Sequence, residues 1–166
     1  MTQILFMPFE PRHLPQALAL QSQAYPAFLV EAAPAFASRL QVAAPYNVVA
    51  ERDGALLGYL LAHGWTGESP PPVGVVLDPD VTGDTLYLHD LAVSDAGRGS
   101  GIGRMLVEHA LSRAAADGLV SAELIAVEGA AEYWARLGFD VEPPSPALAA
   151  KVAGYGAAAR WMRRTL

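Results

Sequence analysis

The sequence predicts a single α/β domain over residues 1–166, with a mixed β-sheet flanked by helices. Three observations carry this. Thr85 to Val127 reads strand, glycine turn, amphipathic helix, strand, a βαβ unit whose two strands should be parallel. Asp53-Gly54 separates two apolar runs, Asn47–Arg52 and Ala55–Ala62, as a β-hairpin turn does. Short strand and helix signals alternate along a chain of one domain's length, 166 residues, with no repeat and no linker.

The elements follow in order. Thr2 to Met7 reads as a strand. Leu14, Leu18 and Tyr25 fall near helical spacing, and Pro15 suits a first helical turn. A second helix is predicted over Pro34 to Val42, and the hairpin follows. Gly64 to Asp84 holds Pro70, Pro71, Pro72 and Pro79, four Gly, four acids and no Lys or Arg. It is a loop, with an extended piece at Val75 to Leu77, and its length points to function or disorder. Thr85 to Val93 is a strand. Ile102 to Ala116 is a helix, with Ile102, Leu106, Val107, Ala110, Leu111 and Ala114 as its buried stripe. Gly118 stops it. Ser121–Val127 is a strand, Ala130–Leu137 a short helix and Phe139–Val141 a strand start. A small helix near Ala147–Ala153 and a last strand over Ala157–Met162 complete the chain.

Composition narrows the function. The chain is 52% apolar and 17% charged, enough for a packed core. Seventeen acids against eleven bases give a net charge of −6, which argues against nucleic acid and anionic membrane as partners. No Cys is present, so disulfides, thiolate metal sites and cysteine nucleophiles are excluded. Lys151 is the only lysine. No metal motif such as HExxH occurs, and no metal is expected. No basic leader or membrane-length apolar run is seen, so a cytoplasmic protein is expected.

The densest signal is Gly97-Arg98-Gly99-Ser100-Gly101-Ile102-Gly103-Arg104, between a strand and a helix start. Alternate glycines let backbone approach a ligand, and free amides at a helix N-terminus attract anions. A phosphate or pyrophosphate ligand follows. The spacing fails the G-x-G-x-x-G dinucleotide fingerprint, and no Gly-Lys-Ser/Thr is available for a Walker loop. A G-x-S-x-G nucleophile elbow would need glycine where Arg98 stands.

What fits is Arg98-x-x-Gly101-x-Gly103, which resembles the acetyl-coenzyme A signature R/Q-x-x-G-x-G/A of the GNAT acetyltransferase superfamily. Tyr87-Leu88-His89-Asp90-Leu91-Ala92-Val93 is similar to that family's central strand, and the run Ala131 to Phe139 resembles its helix ending in Leu-Gly-Phe. The match covers about Thr85 to Val141. The resemblance implies a GNAT-like acyl-CoA N-acyltransferase fold in which the strands of Leu91–Val93 and Leu124–Val127 splay apart. Acetyl-CoA would be the co-substrate. Its pantetheine would pair with main-chain groups along Leu91, Ala92 and Val93. Its pyrophosphate would rest on the amides of Arg98, Gly99, Ser100, Gly101, Ile102, Gly103 and Arg104. Trp134 would also border the coenzyme.

Acetyl transfer to an amine needs a base for the amine proton. His89 is the candidate, aligned with a histidine of a similar strand in arylalkylamine N-acetyltransferases. Strand alternation would put it on the face of Tyr87 and Leu91, with Asp90 opposite in a structural hydrogen bond. Many relatives carry tyrosine four residues before the Gly of Leu-Gly-Phe. Here that position is Trp134, with Tyr133 expected to pack inward. Tyr155 is the alternative proton donor, and water the other. Glu31 is the only acid between Arg12 and Ala50 and sits in an apolar, aromatic stretch with Tyr25 and Phe28. Those three are the candidate contacts for a small amine acceptor. A protein amino group is the next acceptor class, and a non-catalytic coenzyme A sensor the rival reading. The apolar content and the carboxy-terminal strand are compatible with a homodimer.

Overall fold

The computed structural model describes residues 2–42 and 44–166. The chain runs β1 (Leu5–Pro8), α1 (Leu14–Ala24), α2 (Ala33–Ser38), β2 (Val48–Arg52), β3 (Ala55–Trp65), β4 (Thr85–Val93), α3 (Ile102–Ala116), β5 (Ser121–Ala126), α4 (Ala131–Arg136), β6 (Asp140–Val141), α5 (Pro146–Ala153) and β7 (Arg160–Thr165). Short 3₁₀ turns join several of them. The seven strands form one sheet in the order β1-β2-β3-β4-β5-β7-β6. β4 and β5 are parallel, and the other neighbours pair antiparallel.

Helices cover both faces. The stripe of α3 packs with Leu86, Leu88, Leu124, Trp134 and Phe139 on one side. On the other, α1 and α2 bury Ala17, Leu20 and Phe36 against Val49, Tyr59 and Leu61. Further along that side, Leu148 and Val152 of α5 pack with Tyr87, Tyr155 and Trp161. Trp161 and Met162 are adjacent yet both buried, because successive strand residues enter opposite layers.

The hairpin turn holds Asp53 at φ 54° and Gly54 at φ 77°, the two left-handed residues of a tight primed turn. Several strand limits differ from expectation, and β1 starts at Leu5 rather than Thr2. β3 runs on to Trp65 because His63, Gly64 and Trp65 pair with Tyr87, Leu86 and Thr85. β7 starts three residues late, at Arg160, where pairing with Ala126 begins. The predicted second helix is α-helical only to Ser38 and closes in a 3₁₀ turn over Arg39–Gln41. The loop accordingly spans residues 66–84 and holds no strand at Val75–Leu77.

Among the described residues, no helix is long and apolar enough to cross a membrane.

Candidate active site

β4 and β5 are in register only at Thr85–Ser121, Leu86–Ala122 and Tyr87–Glu123. Beyond Tyr87 the two strands separate. The gap opens into a cavity of about 590 Å³ that runs from the glycine turn, along β4, to Glu31 and His89.

The open strand edge follows from ladder geometry. The Ser94 N–H donates to the Leu57 carbonyl at 2.8 Å, across β3. Peptide groups of an antiparallel strand alternate in direction, so Ala92 also faces β3 while Leu91 and Val93 turn theirs toward the gap. The Leu91 carbonyl accepts the Tyr25 hydroxyl at 2.7 Å, as this orientation requires. The remaining edge groups of Leu91 and Val93 are free to pair with an inserted ligand chain.

At one end of the cavity the backbone turns through Gly99 and Gly101, at φ 78° and 75°, into α3. A side chain would be strained at both. The first hydrogen bond onto the turn is from the Met105 N–H to the Gly101 carbonyl, so the amides of Ile102, Gly103 and Arg104 point free at the helix start. A Cβ on Gly103 would collide with the Tyr133 hydroxyl. Gly103 therefore permits the close seat of α4 beside α3. Arg98 and Arg104 flank the turn, both exposed and paired with Asp95 at 3.2 Å and Glu108 at 3.1 Å. Exposed pairs of this kind exchange readily for a phosphate. Ser100 is exposed and off the cavity wall.

The other end is built from side chains. β4 carries a bulge: Leu88 pairs with Ala62 and Asp90 with Leu61, leaving His89 as the extra residue. The bulge resets the alternation. Leu88 and Leu91 face the α3 layer, while Asp90 shares with Ala92 the face toward Tyr59. The expectation that His89 lies with Leu91 and opposite Asp90 is thus corrected. Asp90 does make a structural bond, accepting the Tyr59 hydroxyl at 2.8 Å. Burial pushes its carboxyl up to about 6, against the lowering by His89 and the Tyr59 and Tyr25 hydroxyls.

The His89 side chain is 3% exposed, and its Nε2 lies 2.6 Å from Glu31 Oε1. Glu31 is itself buried. Its main chain is clamped by Gln21, whose Oε1 accepts the Glu31 N–H at 2.8 Å and whose Nε2 donates to the Glu31 carbonyl at 3.1 Å. Its Oε2 accepts from Arg39 and from the Gly74 amide at 2.8 Å. Burial works to raise the Glu31 pKa. The His89 bond and charge, the Arg39 guanidinium and the Gly74 amide override it and hold the carboxyl at about 2. Arg39 is fully buried, with Nε 3.0 Å from His89 Nε2 and one terminal nitrogen donating to the Val75 carbonyl at 2.7 Å. The Glu31 carboxylate accepts from Nε2 only when that atom carries a proton, whereas the Arg39 Nε–H donates only to an unprotonated Nε2, so the two contacts belong to different tautomers of the ring. His89 Nδ1 has no partner among the described residues. His63 packs alongside, ring centroids 6.0 Å apart, fully buried, with no side-chain hydrogen bond to either ring nitrogen among the described residues. Burial, then the charges of His89 and Arg39, drives it well below the usual histidine range, so it is neutral.

The sequence-predicted residues separate on this geometry. Tyr25, Glu31, His89, Leu91, Ala92, Val93, Arg98, Gly99, Gly101, Ile102, Gly103, Arg104, Trp134 and Tyr155 all line the cavity. Phe28 does not. It is 54% exposed and rests against Gly156. Tyr133, expected to pack inward, instead borders the turn at Gly103, while Trp134 lines the cavity and also packs against Phe139. Tyr155 is buried, its hydroxyl donates to the Pro71 carbonyl, and burial pushes its pKa up to about 12. It pins the loop rather than presenting a free proton. Glu31 is no free carboxylate for an amine, since it is engaged by Arg39 and His89. Arg39 and the loop residues Val73 to Val75 were missed. Arg39 left a signal, being the only Arg or Lys between Arg12 and Arg52.

The match to the acetyltransferase (GNAT) family spans residues 14–139, and the chain belongs to that family. No curated protein sequence matches it. Among solved structures, the loading GNATL domain of CurA from Lyngbya majuscula superposes with a TM-score of 0.76 at 10% identity, covering 98% of each chain. The ribosomal-protein-S18-alanine N-acetyltransferase of Escherichia coli gives 0.70 at 19% identity, over 98% of this chain and 94% of that one. The PaiA N-acetyltransferase of Thermoplasma acidophilum, solved with coenzyme A, gives 0.69 at 11% identity over 99% of both. These likenesses establish the GNAT fold.

Proposed function

We propose that the chain is a direct N-acetyltransferase, moving the acetyl group of acetyl-CoA to a primary amine of a small molecule. The observation that supports it best is the order of groups along one cavity. The glycine turn offers free amides and two arginines to a pyrophosphate. The Leu91–Val93 edge continues from it and suits the amide-bearing pantetheine arm. The Glu31–His89 pair stands at the far end. A thioester carried along that edge ends between Leu91 and His89, where Tyr25 closes the wall.

His89 is the base of this scheme, and Glu31 a positioning residue that fixes its tautomer. In the neutral ring with Nε2–H on Glu31, Nδ1 holds the lone pair that accepts the amine proton through an intervening water. The amine nitrogen forms the new C–N bond, the C–S bond breaks, and the thiolate is protonated from solvent. No cysteine is present to carry an acetyl group, so transfer occurs within a ternary complex. Holding both reactants in one cavity supplies much of the rate.

A protein amino group is the second acceptor class, in keeping with the name of the E. coli neighbour. The sensor reading rests on Trp134, which cannot donate the proton that tyrosine gives in many relatives.

Acetyl-CoA binding by calorimetry, combined with coenzyme release across an amine panel, tests the proposal. Binding with amine-dependent release is expected. Binding without release to any amine would favour the sensor. Mass spectrometry of protein with acetyl-CoA alone should show no transfer-competent acetyl-enzyme.

A further inference from the structure

Resting on the acetyl-transfer reading, we propose that the acceptor is a small amine with an apolar body and no anionic group. Charge then excludes amino acids, and the loop over this end excludes peptide termini.

The wall of the acceptor end carries the first part. Leu29, Val73, Tyr87, Ile125, Val127 and Tyr155 line it, so an acceptor buries carbon against aliphatic and aromatic surface. Charge carries the second. Among the described residues lining the cavity, the arginines are Arg98 and Arg104, both at the coenzyme end, and no lysine is present. Arg39 lies behind Glu31, fully buried, with its terminal nitrogens donating to the Val75 carbonyl and Glu31 and Nε turned to His89. A carboxylate or phosphate on the acceptor would lose its hydration with no cation to meet it. The acids there are Glu31, already engaged, Asp90, and Glu128 on the exposed rim, for which no ion pair is found among the described residues. The field at the mouth favours an ammonium and repels an anion.

The loop of residues 66–84 carries the third. It crosses the acceptor end and is pinned from below. Tyr155 donates to the Pro71 carbonyl, Gly74 to Glu31 and Arg39 to the Val75 carbonyl, and the Leu77 amide donates to Ser38 Oγ at 2.9 Å. Two of these pins are the residues that hold His89. A polypeptide that displaced the loop would release Glu31 and Arg39 and disturb the base it must reach. A compact acceptor needs no such displacement.

The test is coenzyme release by the full chain with acetyl-CoA and three acceptors: 2-phenylethylamine, phenylalanine and an alanine-initiated hexapeptide. Phenylalanine is the same body with one carboxylate added. We expect kcat/KM for 2-phenylethylamine to exceed that for phenylalanine by roughly 100-fold, the scale of an uncompensated like-charge contact, and the peptide, which the loop keeps out, to turn over no better than phenylalanine. Comparable or better turnover of phenylalanine or the peptide would overturn the proposal while leaving acetyl transfer intact. No turnover of any acceptor despite acetyl-CoA binding would overturn the transfer reading and this one with it. Val73→Arg supplies the missing cation on the wall. It should narrow the preference at least tenfold by raising phenylalanine turnover. An unchanged ratio in a folded variant would contradict the charge argument.

Discussion

At the turn end of the cavity, ligand groups are supplied by backbone. The free amides of Ile102, Gly103 and Arg104 need no particular side chain, only glycines that permit the approach, and the flanking arginines are solvated. At the opposite end the cluster is built from buried side chains. Glu31 and Arg39 come from one irregular segment and His89 from β4, and they are satisfied mainly by one another. The difference teaches which end is generic and which is particular. A backbone cradle recognises any ligand with the right phosphates, whereas a buried ionic cluster fixes one geometry and tolerates little change.

The comparison can be broken first at Arg39. Arg39→Met leaves the Glu31 carboxylate buried without its cation and frees the loop at Val75. Denaturant unfolding should show a loss of about 3–5 kcal/mol, the cost of removing one partner of a buried pair. A loss below 1 kcal/mol would mean the cluster is better hydrated than its burial indicates.

The turn end should respond differently. A Cβ at Gly101 meets no protein atom within 4 Å and projects into open space beside the turn, where the proposed pyrophosphate would approach. Gly101→Val also strains a left-handed residue by roughly 1–2 kcal/mol. Calorimetry should find acetyl-CoA affinity reduced roughly 10–100-fold, the loss of one or two charge-assisted bonds. Unchanged affinity would remove the coenzyme assignment.

Asp90 sharpens the comparison by pH. Its carboxyl lies at about 6 in the folded chain, above its ordinary 3.8. The neutral form is favoured by folding, so its contribution is full below pH 3.8 and is lost as pH rises through 6. Asp90→Asn keeps an acceptor for Tyr59 and removes the charge. It should stabilise the protein above pH 7 by up to about 3 kcal/mol, with the gain vanishing below pH 4. A pH-independent difference would place the effect in packing instead. Glu31 runs the other way: its stabilisation is present above 4.5 and is lost as pH falls toward 2.

Sequence legibility divides along the same line. β4 and α3 carry their limits in local pattern, alternation and a glycine stop, and both lie where that pattern puts them. The glycine turn is equally local. The bulge at His89 is not, because it is set by pairing with β3 across an extra residue, and it reversed the expected side of Leu91 and Asp90. Arg39 and Glu31 meet through the fold of an irregular segment with no periodicity to read. The roles of Tyr133 and Trp134 turned on a helix of six residues, too short for its inward face to be read from spacing.

The central claim is that chemistry and coenzyme binding are separable, with His89 on the chemical side. His89→Gln keeps polarity and much of the volume but cannot serve as a base. Acetyl-CoA affinity and kcat measured on this one variant decide the matter. The account predicts near-normal affinity and a kcat lowered by roughly 10²–10⁴-fold, the usual scale for loss of a general base. A folded variant with near-normal kcat, or one whose loss lies wholly in coenzyme affinity, would contradict it.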